Sequence, residues 1–278
     1  MRRRILMLFA LAVAALAGAT PAASAGGPSP GISQGWDGLV RGNMRYVTVP
    51  AGSFTSLQAI RLRGGRVIGH MSIAGTWGIP MVAFDGTTEG FLPDGRTLVL
   101  SQQVFVGDSL RKTTTFTLVD VRKMKVVDTI KILGAFAFDA LSPDGRYLYL
   151  VEYMESDSGQ YRVRAYDMNQ TKLLAKIITD RKTWETGMSG SPVTRTWNGG
   201  WAYTLYGANS RPFIHALNTR GVAADCIFLP WKTSPQDIFD YRLRNDGKGH
   251  VVVRGPRGRA LVVIDSKTRG IIRAVKNP

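Results

Sequence analysis

Short β-rich apolar runs separated by tight polar turns recur along the chain, and no helical periodicity of useful length follows residue 25. The segment Phe91-Leu92-Pro93-Asp94-Gly95-Arg96-Thr97-Leu98-Val99-Leu100 returns 50 residues later as Leu141-Ser142-Pro143-Asp144-Gly145-Arg146-Tyr147-Leu148-Tyr149-Leu150. Proline presets φ for a turn, aspartate bonds back onto the backbone, glycine supplies positive φ, and a strand follows. Weaker copies are Asn198-Gly199 before Trp201-Ala202-Tyr203, Asp246-Gly247 before His250-Val251-Val252-Val253, and Gly42-Asn43 before Tyr46-Val47-Thr48-Val49.

A second element follows each turn. Phe116-Thr117-Leu118-Val119-Asp120 runs through a polar turn to Val126-Val127, and Val163-Arg164-Ala165-Tyr166-Asp167 to Leu173-Leu174. Val262-Val263-Ile264-Asp265 runs likewise to Ile271-Ile272, and Ile214 to Asn218 on to Ile227 is a looser copy. Each reads as strand, turn, strand. Joined to the preceding hairpin, this predicts a four-stranded antiparallel unit about every 50 residues, the blade of an all-β propeller. The units begin near residues 43, 82, 135, 188 and 236, which gives five blades, or six if residues 26 to 42 contribute strands.

The repeat carrying Ser142-Pro143-Asp144-Gly145 and the strand ending Tyr166-Asp167 resembles that of bacterial YVTN-type and TolB-like propellers, relatives of WD40-like repeat proteins, over about residues 45 to 275. The resemblance implies an extracytoplasmic propeller. It implies no particular activity, because one fold hosts scaffolds, binding proteins and enzymes.

The start of the chain agrees with export. Arg2, Arg3 and Arg4 precede an apolar run from Ile5 to Ala17 and a small-residue site at Ala23-Ser24-Ala25, the pattern of a cleaved signal peptide over residues 1–25. Residues 26–42, rich in glycine and proline, read as a flexible N-terminal arm, and 43–278 as the propeller domain. No later stretch is apolar for long enough to cross a bilayer as a helix, so the mature protein is expected to be secreted.

The net charge of +16 falls to +13 without the three leader arginines. Residues 231 to 278 carry +7 of it, from 11 Lys or Arg against four Asp. Outside the cytoplasm this favours an anionic envelope polymer or a protein partner over nucleic acid, with Arg254, Arg257 and Arg259 as candidate contacts. Cys226 is the only cysteine, so no internal disulfide forms; beside Ile227-Phe228-Leu229 it reads as a small buried apolar residue.

Catalytic motifs are sparse. His70, His215 and His250 lack metal-motif spacing, Gly187-Met188-Ser189-Gly190-Ser191 lacks the last glycine of a nucleophile elbow, and Glu155-Ser156-Asp157-Ser158-Gly159 lacks the later Glu of a calcium loop. Alignment of the units on their Asp-Gly turns yields the best candidates. Glu89 and Asp139 each lie five residues before the turn aspartate, Asp240 is one residue off that register, and Arg195 falls in the matching stretch of the fourth unit. On innermost strands the two acids would converge on the channel and repel, which requires compensation by Arg195 or by a bound cation. No other cofactor is implied. A non-catalytic binding or scaffold propeller is therefore expected, with a metal-assisted lactonase or lyase as the alternative.

Overall fold

The computed structural model describes residues 30–154, 160–178, 180, 188–208, 211–232 and 237–275. The expected leader, the Glu155–Gly159 segment and Gly187 lie outside the described residues.

Antiparallel sheets follow one another along the chain, and the short hairpin Phe105–Val106 with Ser109–Leu110 interrupts the second. The first comprises Leu39–Arg41, Met44–Ala51, Phe54–Arg61 and Val67–Ala74. The second comprises Thr97–Ser101, Thr113–Asp120 and Lys125–Leu133. The third comprises Ala135–Leu141, Tyr147–Tyr153, Tyr161–Asp167 and Lys172–Leu173. The fourth comprises Ser191–Asn198, Trp201–Gly207, Phe213–Asn218 and Ala223–Phe228. The fifth comprises Arg242–Asn245, His250–Arg254, Ala260–Asp265 and Ile271–Ala274. These sheets are the blades of an all-β propeller.

The repeated turn residues act locally. Asp94 Oδ1 accepts the N–H groups of Arg96 and Thr97 at 2.9 Å each, Asp144 Oδ1 accepts that of Arg146 at 3.0 Å, and Gly95 and Gly145 take φ of 67° and 73°. The second repeated aspartate closes the turn between the outer strands. Asp120 accepts from Arg122 and Lys123, Asp167 from Asn169 and Gln170, and Asp265 from Lys267 and Thr268. Asn218 does the same for Arg220 and Gly221 in the fourth blade, where the aspartate is missing.

Buried faces join successive blades. Leu57 and Ile73 meet Leu98, Leu100 and Val119; Val99 and Phe116 meet Phe136, Leu148 and Leu150. Tyr149, Val163 and Ala165 meet Ala202, Leu217 and Ala224; Tyr203, Leu205 and Ile214 meet Val251, Val253 and Val262. Among the described residues, no strand pairing, hydrogen bond, ion pair or shared core joins the first blade to the fifth.

Two features correct the sequence reading. Residues 32–41, assigned above to a flexible arm, are built into the fold: Ile32–Ser33 pairs with Ile79–Pro80, and Leu39–Arg41 is the innermost strand of the first blade. Apolar Ile32, Leu39 and Val40 supply what the Gly and Pro content concealed. The second blade also lacks a continuous inner strand. Gly78 pairs with Ser101, and Val99 N–H donates to Gly90 O at 2.8 Å, while the chain between them turns aside as a hairpin. Met81 bridges Thr88 at its base, and near its tip Phe84 N–H donates to Pro192 O at 2.8 Å on the fourth blade. Residues 81–88 therefore reach from the second blade to the innermost strand of the fourth.

Candidate functional site

Three of the aligned residues meet at the axis. Asp139 sits on Ala135–Leu141 where the register slips between Phe138 and Ala140, a bulge that leaves it without a cross-strand partner and re-aims its side chain. Arg195, on Ser191–Asn198, stands in a polar row across the fourth blade: Arg195 opposite Thr204, Thr204 opposite His215, His215 opposite Cys226. Arg195 Nη1 donates to the Asp139 carbonyl oxygen, Nη2 to Asp139 Oδ1, and Nε to Thr204 Oγ1 at 2.8 Å. Glu89 lies at the neck of the axial hairpin rather than on a regular strand. Its Oε1 is 3.6 Å from Arg195 Nη1 and accepts a 2.7 Å hydrogen bond from Trp197 Nε1.

One guanidinium thus faces two carboxylates. Burial tends to lower the pKa of Arg195, but the charges of Asp139 and Glu89 outweigh it and raise the value above its usual one. Glu89 retains 15% side-chain exposure. Burial raises its pKa above 4.5, only partly offset by Arg195 and the Trp197 hydrogen bond. His215, in the same polar row, is pushed down to about 4 by burial. Beneath the cluster, Tyr206 stacks on Phe213 with centroids 5.2 Å apart and on Tyr161 at 5.8 Å.

Above the cluster an open hollow of about 370 Å3 is lined by Glu89, Trp197, Phe91, Phe138, Leu141 and Arg41 among others. The Arg41 guanidinium lies 5.0 Å over the Phe91 ring. The hollow offers apolar walls, one polar carboxyl edge and a cation at the rim. That combination suits a small amphipathic ligand.

Asp240 does not join this group. It is exposed in the short 3-10 helix Asp237–Asp240, ahead of the innermost strand of the fifth blade, and lines a separate hollow with Asp237 and Arg259. The register position itself is held by buried Tyr241. Arg254, Arg257 and Arg259 surround one turn; Arg254 Nη1 donates to Gly258 O at 2.8 Å, and Arg257 and Arg259 are exposed. Cys226 is half-buried opposite His215. Among the described residues, no three His, Cys, Asp or Glu side chains lie together as a metal site would require. Trp197 is visible in the sequence as one of several aromatic residues near turns, but nothing there ties it to Glu89; Thr204 was missed, although pairing about the Asn198-Gly199 turn sets it opposite Arg195.

No family model matches the chain, and no curated protein matches it. Among solved structures it is similar to dihydro-heme d1 dehydrogenase NirN in complex with DHE, at TM-score 0.50 and 15% identity over 84% of this chain and 43% of that one. It is also similar to TolB from Acinetobacter baumannii (0.43, 18%, 74% and 43%) and to the Dos1 propeller (0.47, 9%, 84% and 59%). The chain spans less than two thirds of the length of each. At these identities the likeness concerns the fold alone, which is a β-propeller.

Proposed function

We propose that the chain is a non-catalytic binding propeller of the extracytoplasmic space, with its small-ligand site in the hollow beside Glu89 and Trp197. The observation that carries this reading is the use of the axial acids inside the protein. Arg195 supplies the positive charge that the two acids would otherwise draw from a cation, and Trp197 occupies one oxygen of Glu89. Charge that is already paired positions and seals; it leaves little ligand capacity for a metal that must activate water. The leader-like residues 1–25 support export, and the exposed turn around Arg257 supports a role for an anionic envelope polymer in retention.

The test is metal analysis and melting of purified mature protein with and without a chelator. The proposal expects no stoichiometric metal and the same melting temperature in both conditions. One bound equivalent, with a chelator-sensitive melt that Glu89→Gln/Asp139→Asn abolishes, would return the protein to the enzyme class.

A further inference from the structure

Among the described residues, each inner blade packs against a neighbour on both faces, whereas the fifth does so on one. Its register sets Leu243 beside Val253 and Val262 on the face turned to the fourth blade, all buried. The next row on the opposite face runs Arg244, Val252, Val263, Arg273 across all four strands. Arg242 and Arg254 form a second cross-strand pair on that face. Beside them, Ile272 is 58% exposed at a bulge in the edge strand. A hollow of about 420 Å3 opens here, lined by Asp246, His250, Val252, Arg254, Ile272 and Arg273 among others. Neither Arg244 nor Arg273 has a hydrogen-bond or ion-pair partner among the described residues, and Asp246 is engaged by His250 at 2.7 Å.

This is a sheet face on which half-buried Val263 and exposed Ile272 lie among unpaired guanidinium groups, where a propeller ordinarily places another blade. The first blade is unsuited to fill it. Its own unpaired face exposes Val40, Val49 and Val67, and no Asp or Glu occurs between Asp37 and Asp85. Closing the ring, or docking a second copy head to tail, would set the arginines of the fifth blade against a face that carries Arg45 and no acid. A dimer through two fifth blades would oppose arginine to arginine.

We propose that the outward face of the fifth blade docks a polypeptide surface that is acidic and partly apolar. Carboxylates meet Arg244 and Arg273 as forked, charge-assisted pairs, and apolar side chains cover Val263 and Ile272. A polyphosphate or an acidic polysaccharide would satisfy the charge and leave Val263 and Ile272 wet, so the mixed composition favours protein. The proposal is independent of the ligand reading of the axial hollow.

The test is fluorescence anisotropy at neutral pH with three labelled probes: a short peptide of alternating Glu and Val, polyglutamate, and polyphosphate. The peptide is expected to bind most tightly. Arg244→Glu/Arg273→Glu should weaken it by about tenfold or more, the scale of losing close interfacial charge pairs. Both side chains are exposed, so the variant should melt as wild type does, and oxidative footprinting should show Ile272 protected by the peptide. Absent peptide binding, or binding unchanged in the variant, would overturn the proposal. Equal affinity for polyglutamate or polyphosphate would make this a plain polyanion surface. Concentration-dependent dimers lost in the variant would make a second copy the occupant.

Discussion

Arg195 of the fourth blade closes on Asp139, the bulged residue of the third, with both terminal guanidinium nitrogens, and the two side chains are only 2% and 4% exposed. Such a pair is costly to desolvate, so its partners are far more sensitive to being separated than its net contribution suggests. Arg195→Ala is expected to lower unfolding free energy by about 3–5 kcal/mol, the scale for leaving a buried charge alone. Arg195→Lys should recover only part, because an ammonium cannot span the Asp139 carbonyl, its carboxylate and Thr204 together. Urea unfolding decides it: a loss for Arg195→Ala no larger than an exposed substitution gives would show that the cluster does not hold the blades.

Glu89 should behave oppositely. Its folded pKa is raised, so ionisation costs stability as pH rises from 4.5 through the higher folded value, and the full cost is present above that. Glu89→Gln keeps an acceptor for Trp197 without the charge. Its stability at neutral pH is expected to equal or exceed that of the wild type, with the difference vanishing below pH 4.5. Destabilisation at pH 7 as severe as that of Arg195→Ala would refute this assignment.

Acid sensitivity is expected from His215. Its pKa is lowered from 6.5 to about 4, so the unfolded chain takes up a proton first and stability falls as pH drops across that window. The loss amounts to about 3 kcal/mol at 1.36 kcal/mol per pKa unit. Asp139, Asp180 and Asp225 oppose the shift, while Arg195 adds to burial in producing it. The measurement is the difference in stability between wild type and His215→Leu from pH 7 to 4. A flat difference would exclude His215 as the titrating group.

The legible parts of this fold are those whose cause is local. Asp94 and Asp144 bond to N–H groups two or three residues away, and Asp120, Asp167 and Asp265 do the same, so their spacing displays the blades directly. Spacing from the turn aspartate singled out Glu89 and Asp139, but Glu89 comes within 3.6 Å of Arg195 from the neck of a hairpin and not from an inner strand, so the rotation that relates the blades does not account for that approach. The hairpin at 81–88 was not readable, since Met81-Val82-Ala83-Phe84 has the composition of an inner strand and only contact with Pro192 distinguishes it. For the same reason Asp240, chosen by register alone, falls on a 3-10 turn. The unpaired faces of the first and fifth blades were hidden too, because a sheet buried on both faces and one with arginines over valines differ only in what lies across from them.

The axial hairpin depends on its neck glycine. Gly90 takes φ of 133°, and a Cβ there would lie 2.9 Å from Val99 O, the strand edge to which the neck is bonded. Gly86 near the tip has φ of 85° with nothing close to a Cβ. Both alanine variants meet backbone strain, but only Gly90→Ala adds a collision with main chain that cannot swing away. Gly86→Ala is expected to cost about 1 kcal/mol and Gly90→Ala about 2–3 kcal/mol, within the range for non-glycine residues in rare conformations. A displaced neck also carries Glu89 away from Trp197, so Gly90→Ala should red-shift tryptophan emission as the indole N–H turns to water. That shift should vanish in a Trp197→Phe background, which separates a moved neck from general loosening. Equal costs for the two glycines, or an emission change that survives removal of Trp197, would mean that the neck does not position Glu89.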